Sequence, residues 1–140
     1  MDSRLLFVDT NVFLRYLTDD IPERASAAEA LFKGAANGEV RLLTTSMVIA
    51  EVVWVLESFY HLGKTEVAER ALAIVLMDGL TLDEVDLLTD ALTVYETANI
   101  DFIDAYNACW MKQRRLSRVA TFDENHFARV DWVAIERLEY

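Results

Sequence analysis

Two aspartates follow short apolar segments that are predicted to be β-strands. Asp9 comes directly after the run from Leu5 to Val8, and Asp123 follows the segment from Arg118 to Phe122. Ligand sites in open parallel sheets form at the carboxyl ends of the strands, so these carboxylates could meet at one sheet edge. Carboxylate oxygens are the ligands that hard divalent ions prefer. Each aspartate taken alone is also typical of a solvated turn residue or a helix cap.

A third acid, Glu51, interrupts the most apolar predicted helix of the chain. It lies between Ala50 and Val52, in a stretch where a charged side chain is rare unless it is paired or coordinated. The alternative is that Glu51 belongs to a narrow exposed stripe with Glu57 and Ser58. Because the residues one helical turn away are apolar, the pattern favours a functional carboxylate.

Asp101 and Asp104 are three residues apart at the predicted start of another helix, so they share one helical face. An aspartate at the N-cap and another in the first turn both interact favourably with the helix dipole. Capping explains Asp101 fully but Asp104 only in part. The face of Asp104 continues into Asn107 and Ala108, a small and polar surface that suits a ligand.

The elements that must position these acids alternate between short strands and helices. Apolar patterning predicts strands at 5–8, 41–45, 80–82, 118–121 and 134–138. Apolar stripes with Ser46, Thr65, Asp83 and Asp101 as starting residues predict helices at 22–37, 46–60, 65–78, 83–98 and 101–115. This alternation predicts an α/β sandwich with a mainly parallel central sheet flanked by helices.

The length of 140 residues and the apolar fraction of 54% predict one compact domain that spans residues 1–140. A cytoplasmic location is expected because the sequence shows neither a membrane span nor a signal peptide. The single cysteine, Cys109, is expected to be a small buried hydrophobe, since neither His61 nor His126 is recognisably paired with it as a catalytic base. No apolar stretch reaches the ~18 residues that span a bilayer. The run from Leu5 to Val8 is too short for a signal peptide.

The net charge of −11 argues against non-specific nucleic-acid binding, which normally needs a basic surface. The objection weakens if several acids hold divalent ions, because bound cations reverse the local field. One dense basic segment could hold RNA phosphates, although favourable placement at a helix C-terminus is the preferred interpretation. This basic segment consists of Lys112, Arg114, Arg115 and Arg118.

Four short motifs stand in a recognisable order along the chain. They are Val8-Asp9-Thr10-Asn11-Val12, Ser46 with Ala50-Glu51, Asp101-Phe102-Ile103-Asp104-Ala105, and Thr121-Phe122-Asp123. Each motif alone is weak, but together, and on matching elements, they resemble the PIN-domain family over essentially the whole chain. Within that family the chain is most similar to the VapC-type toxins of toxin–antitoxin pairs.

The resemblance implies a PIN-like three-layer sandwich and a Mg²⁺- or Mn²⁺-dependent ribonuclease that leaves a 5′-phosphate and a 3′-hydroxyl. It places the family's catalytic and metal-binding acids on Asp9, Glu51, Asp104 and Asp123. Asn11 and Ser46 match polar positions that support these acids. The segment from Asp123 to Phe127 is one residue longer than the Asp-x-x-Phe form that we expect. Glu124 or Asn125 could therefore share the role of Asp123.

The resemblance also implies partners, namely an RNA substrate, a cognate antitoxin protein and a second copy of the chain in a homodimer. The acidic surface fits an antitoxin with a basic segment, one arginine of which could reach the acids. The apolar helix from Ser46 to Tyr60 is the predicted dimer surface, with Trp54 and Phe59 as anchors. Trp54, Trp110 and Trp132 could instead stack bases, but core or interface packing is preferred for Trp54 and Trp110.

Two other functions stay open. A catalytically inactive PIN-like module would bind protein and would lack a carboxylate-dependent Mn²⁺ site, which a metal titration would reveal. A phosphatase of the haloacid-dehalogenase type also places an aspartate after its first strand. Such an enzyme would need a second aspartate at position 11, where this chain has Asn11.

Overall fold

A computed structural model describes residues 4–139, in which strands and helices alternate along the chain. The strands are β1 (Leu5–Phe7), β2 (Arg41–Leu43), β3 (Leu80–Thr81), β4 (Arg118–Ala120) and β5 (Ala134–Glu136). The helices are α1 (Thr10–Thr18), α2 (Pro22–Ala36), α3 (Ser46–Ser58), α4 (Lys64–Val75), α5 (Val85–Thr97), α6 (Phe102–Gln113) and α7 (Glu124–Phe127). The chain divides into an N-terminal unit that ends at Val85 and a C-terminal unit that begins at Asp86.

The N-terminal unit contains a parallel three-stranded sheet in the order β1-β2-β3. Leu6 is opposite Leu42 in the first pair, and Leu42 is opposite Leu80 in the second. Parallel neighbours need a long crossover connection, which two helices supply in each case. Together with the parallel pairing of β4 and β5, this sheet confirms the predicted α/β class with parallel strands.

The apolar run from Leu5 to Val8 predicts a short buried strand, but that prediction is wrong for β1. Phe7 is 61% exposed and both leucines of β1 are also exposed, whereas the following residue, Val8, is buried. β1 is an edge strand of its sheet and pairs with β2 on one side. An apolar run identifies an extended segment, but only the tertiary arrangement decides which of its faces is covered.

The core of the N-terminal unit is built from helical stripes that match the predicted periodicity. In α2 the buried residues include Ala28, Phe32 and Ala35, and the Phe32 ring stacks on Phe13 of α1 at 5.6 Å between centroids. Gly79 precedes β3 with a positive φ of 84°, and a Cβ there would lie 2.5 Å from the carbonyl oxygen of Ala35. Only glycine allows this close approach between the end of α2 and the start of β3.

Several helix boundaries differ from those predicted. The N-cap of α3 is Thr45, whose Oγ1 accepts a hydrogen bond from the Val48 N–H at 3.3 Å, and Ser46 is the first helical residue. α5 begins at Val85, two residues after the predicted cap Asp83. Helices α1 and α7 were not predicted. Short helices of this kind carry little periodic signal in the sequence.

The C-terminal unit pairs β4 with β5 in parallel, with Val119 opposite Ile135. Its apolar cluster is centred on Ala108 of α6, Phe127 of α7 and Val130. Cys109 is 4% exposed in α6, which confirms its predicted burial. Among residues 4–139, no helix is both long and apolar enough to cross a bilayer.

Candidate metal centre

Asp9 lies two residues after the last residue of β1, at the strand end that the apolar pattern predicted. The turn is fixed by Val8, whose N–H donates to the Leu43 carbonyl at 2.9 Å and whose own carbonyl accepts from the Thr44 hydroxyl at 2.8 Å. The Asp9 side chain is exposed and caps α1, with Oδ1 accepting from the Thr10 N–H at 2.8 Å. Asp9 is thus held at a strand end, and its local contact is that of a helix cap.

Glu51 lies on the exposed face of α3, opposite the buried side that includes Val48 and Val52. Met47 and Trp54 share that face and are 80% and 67% exposed. Met47 and Trp54 do not bury Glu51, because both are exposed themselves. The expectation of core packing for Trp54 is therefore wrong, and an interface role stays a prediction.

The two predicted supporting residues lie in the first turns of their helices. Asn11 is exposed in α1. The hydroxyl of Ser46 in α3 donates a hydrogen bond to Oε1 of Glu84 at 2.5 Å. Glu84 was not singled out from the sequence, because this contact joins residues that are 38 positions apart.

Asp104 lies in the first turn of α6 and contacts the imidazole of His126 in α7. The distance between His126 Nδ1 and Asp104 Oδ2 is 2.8 Å, and each side chain is 23% exposed. His126 Nδ1 also lies 3.6 Å from Oδ2 of Asp101. Each of these three residues offers one ligand atom, and the three atoms all lie within 4.8 Å of one another. We call this group the Asp101–Asp104–His126 triad.

Asp101 does not cap α6 through its side chain, contrary to the sequence prediction. It occupies the N-cap position with φ −62° and ψ 147°, yet its carboxylate makes no capping hydrogen bond within residues 4–139. The carboxylate lies near His126 instead. The cap position was predictable from residue type, but the contact with another helix was not.

Asp123 follows β4 and caps α7, with Oδ1 accepting from the Asn125 N–H at 3.2 Å. Glu124, the first proposed substitute for Asp123, pairs with Arg137 at 3.3 Å. In the described part of the C-terminal unit, Asp123 belongs to no three-residue ligand group. The same holds for Asp9 and Glu51 in the described part of the N-terminal unit.

Sequence reasoning missed His126. One feature of the sequence could have pointed to it. The segment from Asp123 to Phe127, which includes α7, is one residue longer than the expected Asp-x-x-Phe form. Phe127 is buried in the C-terminal cluster and anchors this short helix next to His126. The contact with Asp104 then depends on how α7 packs against α6, a relationship between elements that residue patterns do not encode.

The donor chemistry of the triad fits a divalent cation. Two carboxylates supply the hard oxygen ligands that Mg²⁺ and Mn²⁺ prefer, and an imidazole is a common ligand for first-row transition metals. Asp104 and His126 are partly buried, each with 23% of its side chain exposed, so their ligand atoms are held by the surrounding structure. The triad can therefore hold a divalent ion through the side chains present.

Comparison with known protein families accounts for most of the chain. The family model of the PIN domain matches residues 6–133. The chain belongs to the PIN-domain family. No curated protein matches the chain. Membership implies a nuclease-like fold and an activity that generally depends on a divalent metal. The match confirms the predicted family.

In this PIN domain the basic segment is largely engaged in local contacts. The Lys112 ammonium lies 4.5 Å from the Trp132 ring centroid, and the Arg114 guanidinium lies 3.8 Å from that of Trp110. Arg118 pairs with Glu136, whose carboxylate raises the pKa of the arginine. Arg114 also donates to the Trp110 carbonyl at 3.4 Å in the last turn of α6, which favours the helix-end interpretation for this residue.

Proposed function

We propose that this PIN domain is a Mg²⁺- or Mn²⁺-dependent endoribonuclease that hydrolyses RNA phosphodiester bonds. The observation that carries the proposal is the position of Asp104, a family-motif acid, beside a second carboxylate and an imidazole with ligand atoms within 4.8 Å. The family match supports the nuclease-like fold and the general dependence on metal. RNA is the substrate that the likeness to VapC-type toxins favours.

We assign catalysis to Asp9, Glu51, Asp104 and Asp123. Asp9 and Asp123 lie at strand ends, and the side chains of Asp9, Glu51 and Asp123 are exposed to solvent. A bound divalent ion lowers the pKa of water and stabilises the charge that develops on the leaving oxygen. In this proposal these carboxylates would act as ligands to the ion or orient the attacking water, and Asp104 is the one that also belongs to the triad.

The proposed reaction breaks the bond between phosphorus and the 3′ oxygen. Water supplies the new oxygen on phosphorus, and its proton ends on the 3′ oxygen, so the products carry a 5′-phosphate and a 3′-hydroxyl. Ligation-based sequencing that requires 5′-phosphates would detect these ends directly. Products with 2′,3′-cyclic phosphates would contradict a hydrolytic, metal-assisted reaction.

The test of the proposed function is cleavage of a mixed RNA pool by the purified full chain. We expect cleavage in Mg²⁺ or Mn²⁺ and none in EDTA, with activity restored when the ion is returned in excess. A contaminating nuclease is controlled by an Asp9→Asn protein that is purified in parallel. Undiminished cleavage in EDTA would contradict the proposal.

We also propose that the chain is the toxin of a toxin–antitoxin pair and forms a homodimer. The exposed apolar residues of α3 and its C-cap support a protein contact surface: Trp54 is 67% exposed and Phe59 is 70% exposed. A net charge of −11 favours an antitoxin with a basic segment. As an RNA-cleaving toxin it would act in the cytoplasm, where its substrate is.

Light scattering tests the dimer. We expect a dimer mass at tens of micromolar for the unmodified chain and a monomer mass for a Trp54→Ala, Phe59→Ala double variant. A Trp132→Phe variant is the control, because Trp132 lies in the C-terminal cluster. A monomer for the unmodified chain would contradict the dimer, and no affinity for the product of the neighbouring gene would contradict the antitoxin.

A further inference from the structure

The imidazole of His126 occupies the central position of the triad. Its Nδ1 nitrogen lies 2.8 Å from Asp104 Oδ2 and 3.6 Å from Asp101 Oδ2. Neighbouring ligand atoms around an ion with metal–ligand bonds near 2.1 Å are separated by about 3 Å. The distance to Asp104 is slightly shorter than this separation, and the distance to Asp101 is slightly longer. The two distances from His126 are thus compatible with neighbouring ligand positions around one ion.

The surroundings of the triad hold His126 and Asp104, which are each 23% exposed, more firmly than Asp101, which is 71% exposed. Phe127, next to His126, is buried in the C-terminal apolar cluster, and Asp123 caps α7 ahead of it. Asp101 lies directly before α6 and leaves its carboxylate uncommitted to capping within the described chain. A carboxylate that makes no capping hydrogen bond and lies near an imidazole and another carboxylate is available as a metal ligand.

We propose that His126 Nδ1 is a nitrogen ligand to the divalent ion and that this nitrogen makes the chain select Mn²⁺ over Mg²⁺. The inference rests on the proposed function for the presence of an ion near Asp104. Mg²⁺ demands oxygen ligands and gives up its waters reluctantly, whereas Mn²⁺, a first-row transition ion, also accepts imidazole nitrogen, although it binds it less tightly than the later ions of that row do. One imidazole nitrogen added to carboxylate ligands such as Asp104 therefore favours Mn²⁺ over Mg²⁺.

The competing interpretation is that His126 only donates a hydrogen bond that positions Asp104. The variant His126→Asn separates the two roles, because the asparagine amide still offers an N–H donor but has no imidazole nitrogen. His61→Asn is a matched control with the same chemical change. His61 is exposed and has a φ of 55°, a left-handed conformation that asparagine tolerates.

The experiment is a Mn²⁺ titration of the untagged full chain, followed by the electron paramagnetic resonance signal of free Mn²⁺. Pulsed spectra of the bound ion then report a nitrogen coupling if an imidazole is attached. We expect this coupling in the unmodified chain and in His61→Asn, and its loss in His126→Asn. Mn²⁺ affinity should fall at least about 10-fold in His126→Asn. Mg²⁺ affinity, from competition, should change by less than about 2-fold.

Three results would overturn the inference. They are bound Mn²⁺ without nitrogen coupling in the unmodified chain, coupling that persists in His126→Asn, and equal losses of Mn²⁺ and Mg²⁺ affinity in that variant. None of these readouts requires RNA. RNA cleavage without nitrogen coupling would therefore contradict this inference alone, and nitrogen coupling without RNA cleavage would contradict the proposed function alone.

Discussion

The Nδ1 nitrogen of His126 and the Oδ2 oxygen of Asp104 lie 2.8 Å apart, although 22 residues separate them in the sequence. The contact joins the first turn of α6 to the short helix α7. It brings an imidazole to Asp104, the acid that we propose as a catalytic carboxylate. Asp104 is therefore held by a specific partner before any ion or substrate binds.

Replacing Asp101 with alanine should leave the fold almost unchanged. A capping aspartate is worth about 1 kcal/mol, but Asp101 makes no capping hydrogen bond within residues 4–139. We expect Asp101→Ala to lower the free energy of unfolding by less than about 0.5 kcal/mol, the small helix-dipole contribution. Urea denaturation measures this change. Thr45→Ala, which removes the observed cap of α3, is the control and should cost about 1 kcal/mol.

If Asp101→Ala costs as much as Thr45→Ala, the carboxylate is a cap in solution. That outcome would remove one of the reasons for placing Asp101 near the metal. A Mn²⁺ titration of the same variant gives the complementary result. We expect weaker Mn²⁺ binding in Asp101→Ala despite its unchanged stability.

Asp20 should make the stability of the N-terminal unit depend on pH. The Tyr60 hydroxyl donates to its carboxylate at 2.7 Å and, with smaller contributions from Thr18 and Arg15, holds its pKa below the ordinary value of 3.8. A lowered pKa means that the stabilisation is complete above the unfolded-state pKa and is lost as pH falls through the folded-state pKa. The difference in stability between Asp20→Asn and the unmodified chain should therefore shrink below about pH 4.

Urea midpoints measured from about pH 7 to about pH 3 test the role of Asp20. Asp19→Asn is the control, because Asp19 has a φ of 53° at the end of α1 and asparagine tolerates that conformation. A destabilisation by Asp20→Asn that stays constant over this pH range would show that the charge of Asp20 contributes nothing.

Arg114→Ala should act on stability more than on RNA binding. Its guanidinium stacks on Trp110 at 3.8 Å, and an exposed contact of this type contributes about 0.5–1 kcal/mol. RNA affinity is measured against salt in an Asp9→Asn background, so that no cleavage occurs. We expect an unchanged salt slope for Arg114→Ala. A slope reduced by about 0.7 would instead identify a contact with a phosphate of single-stranded RNA.

Cys109 should be unreactive in the folded chain. It is 4% exposed, and burial, followed by the nearby Asp90 carboxylate, raises the pKa of its thiol to about 11. Since the thiolate is the reactive form, thiol reagents at neutral pH should label the chain only after denaturation. Labelling by a chromogenic disulfide with and without urea measures this. Rapid labelling of the native chain would show that α6 opens locally.

Local patterns in the sequence predicted where strands end better than they predicted which side chains are buried. Asp9 and Asp123 follow β1 and β4 as expected, because short apolar runs identify strands directly. The same patterns could not reveal that Phe7 and Trp54 are exposed, since exposure depends on which elements pack nearby. Thr45 and Ser46 are both good caps, so the sequence could not decide between them.

The part of the candidate site that lies in short sequence motifs could be predicted, and the part that depends on packing between helices could not. Asp104 was identified from its position in the first turn of a helix and from the family resemblance. The contribution of His126 was missed because it depends on the packing of α7, a helix of four residues, against α6. Glu84 was missed for the same reason, as its contact with Ser46 bridges distant parts of the chain.

The most direct test of the central claim is RNA cleavage by Asp104→Asn. The change removes one charge and little volume, and the asparagine oxygen can still accept from His126, so the thermal midpoint should be retained. Asp131→Asn, an exposed aspartate in the same unit, is the matched control and should cleave RNA like the unmodified chain. We expect Asp104→Asn to lose at least roughly 100-fold in kcat/KM, about 2.7 kcal/mol of transition-state stabilisation. Equal cleavage by Asp104→Asn and Asp131→Asn in Mg²⁺ or Mn²⁺ would contradict the assignment of Asp104 to a metal-dependent nuclease site.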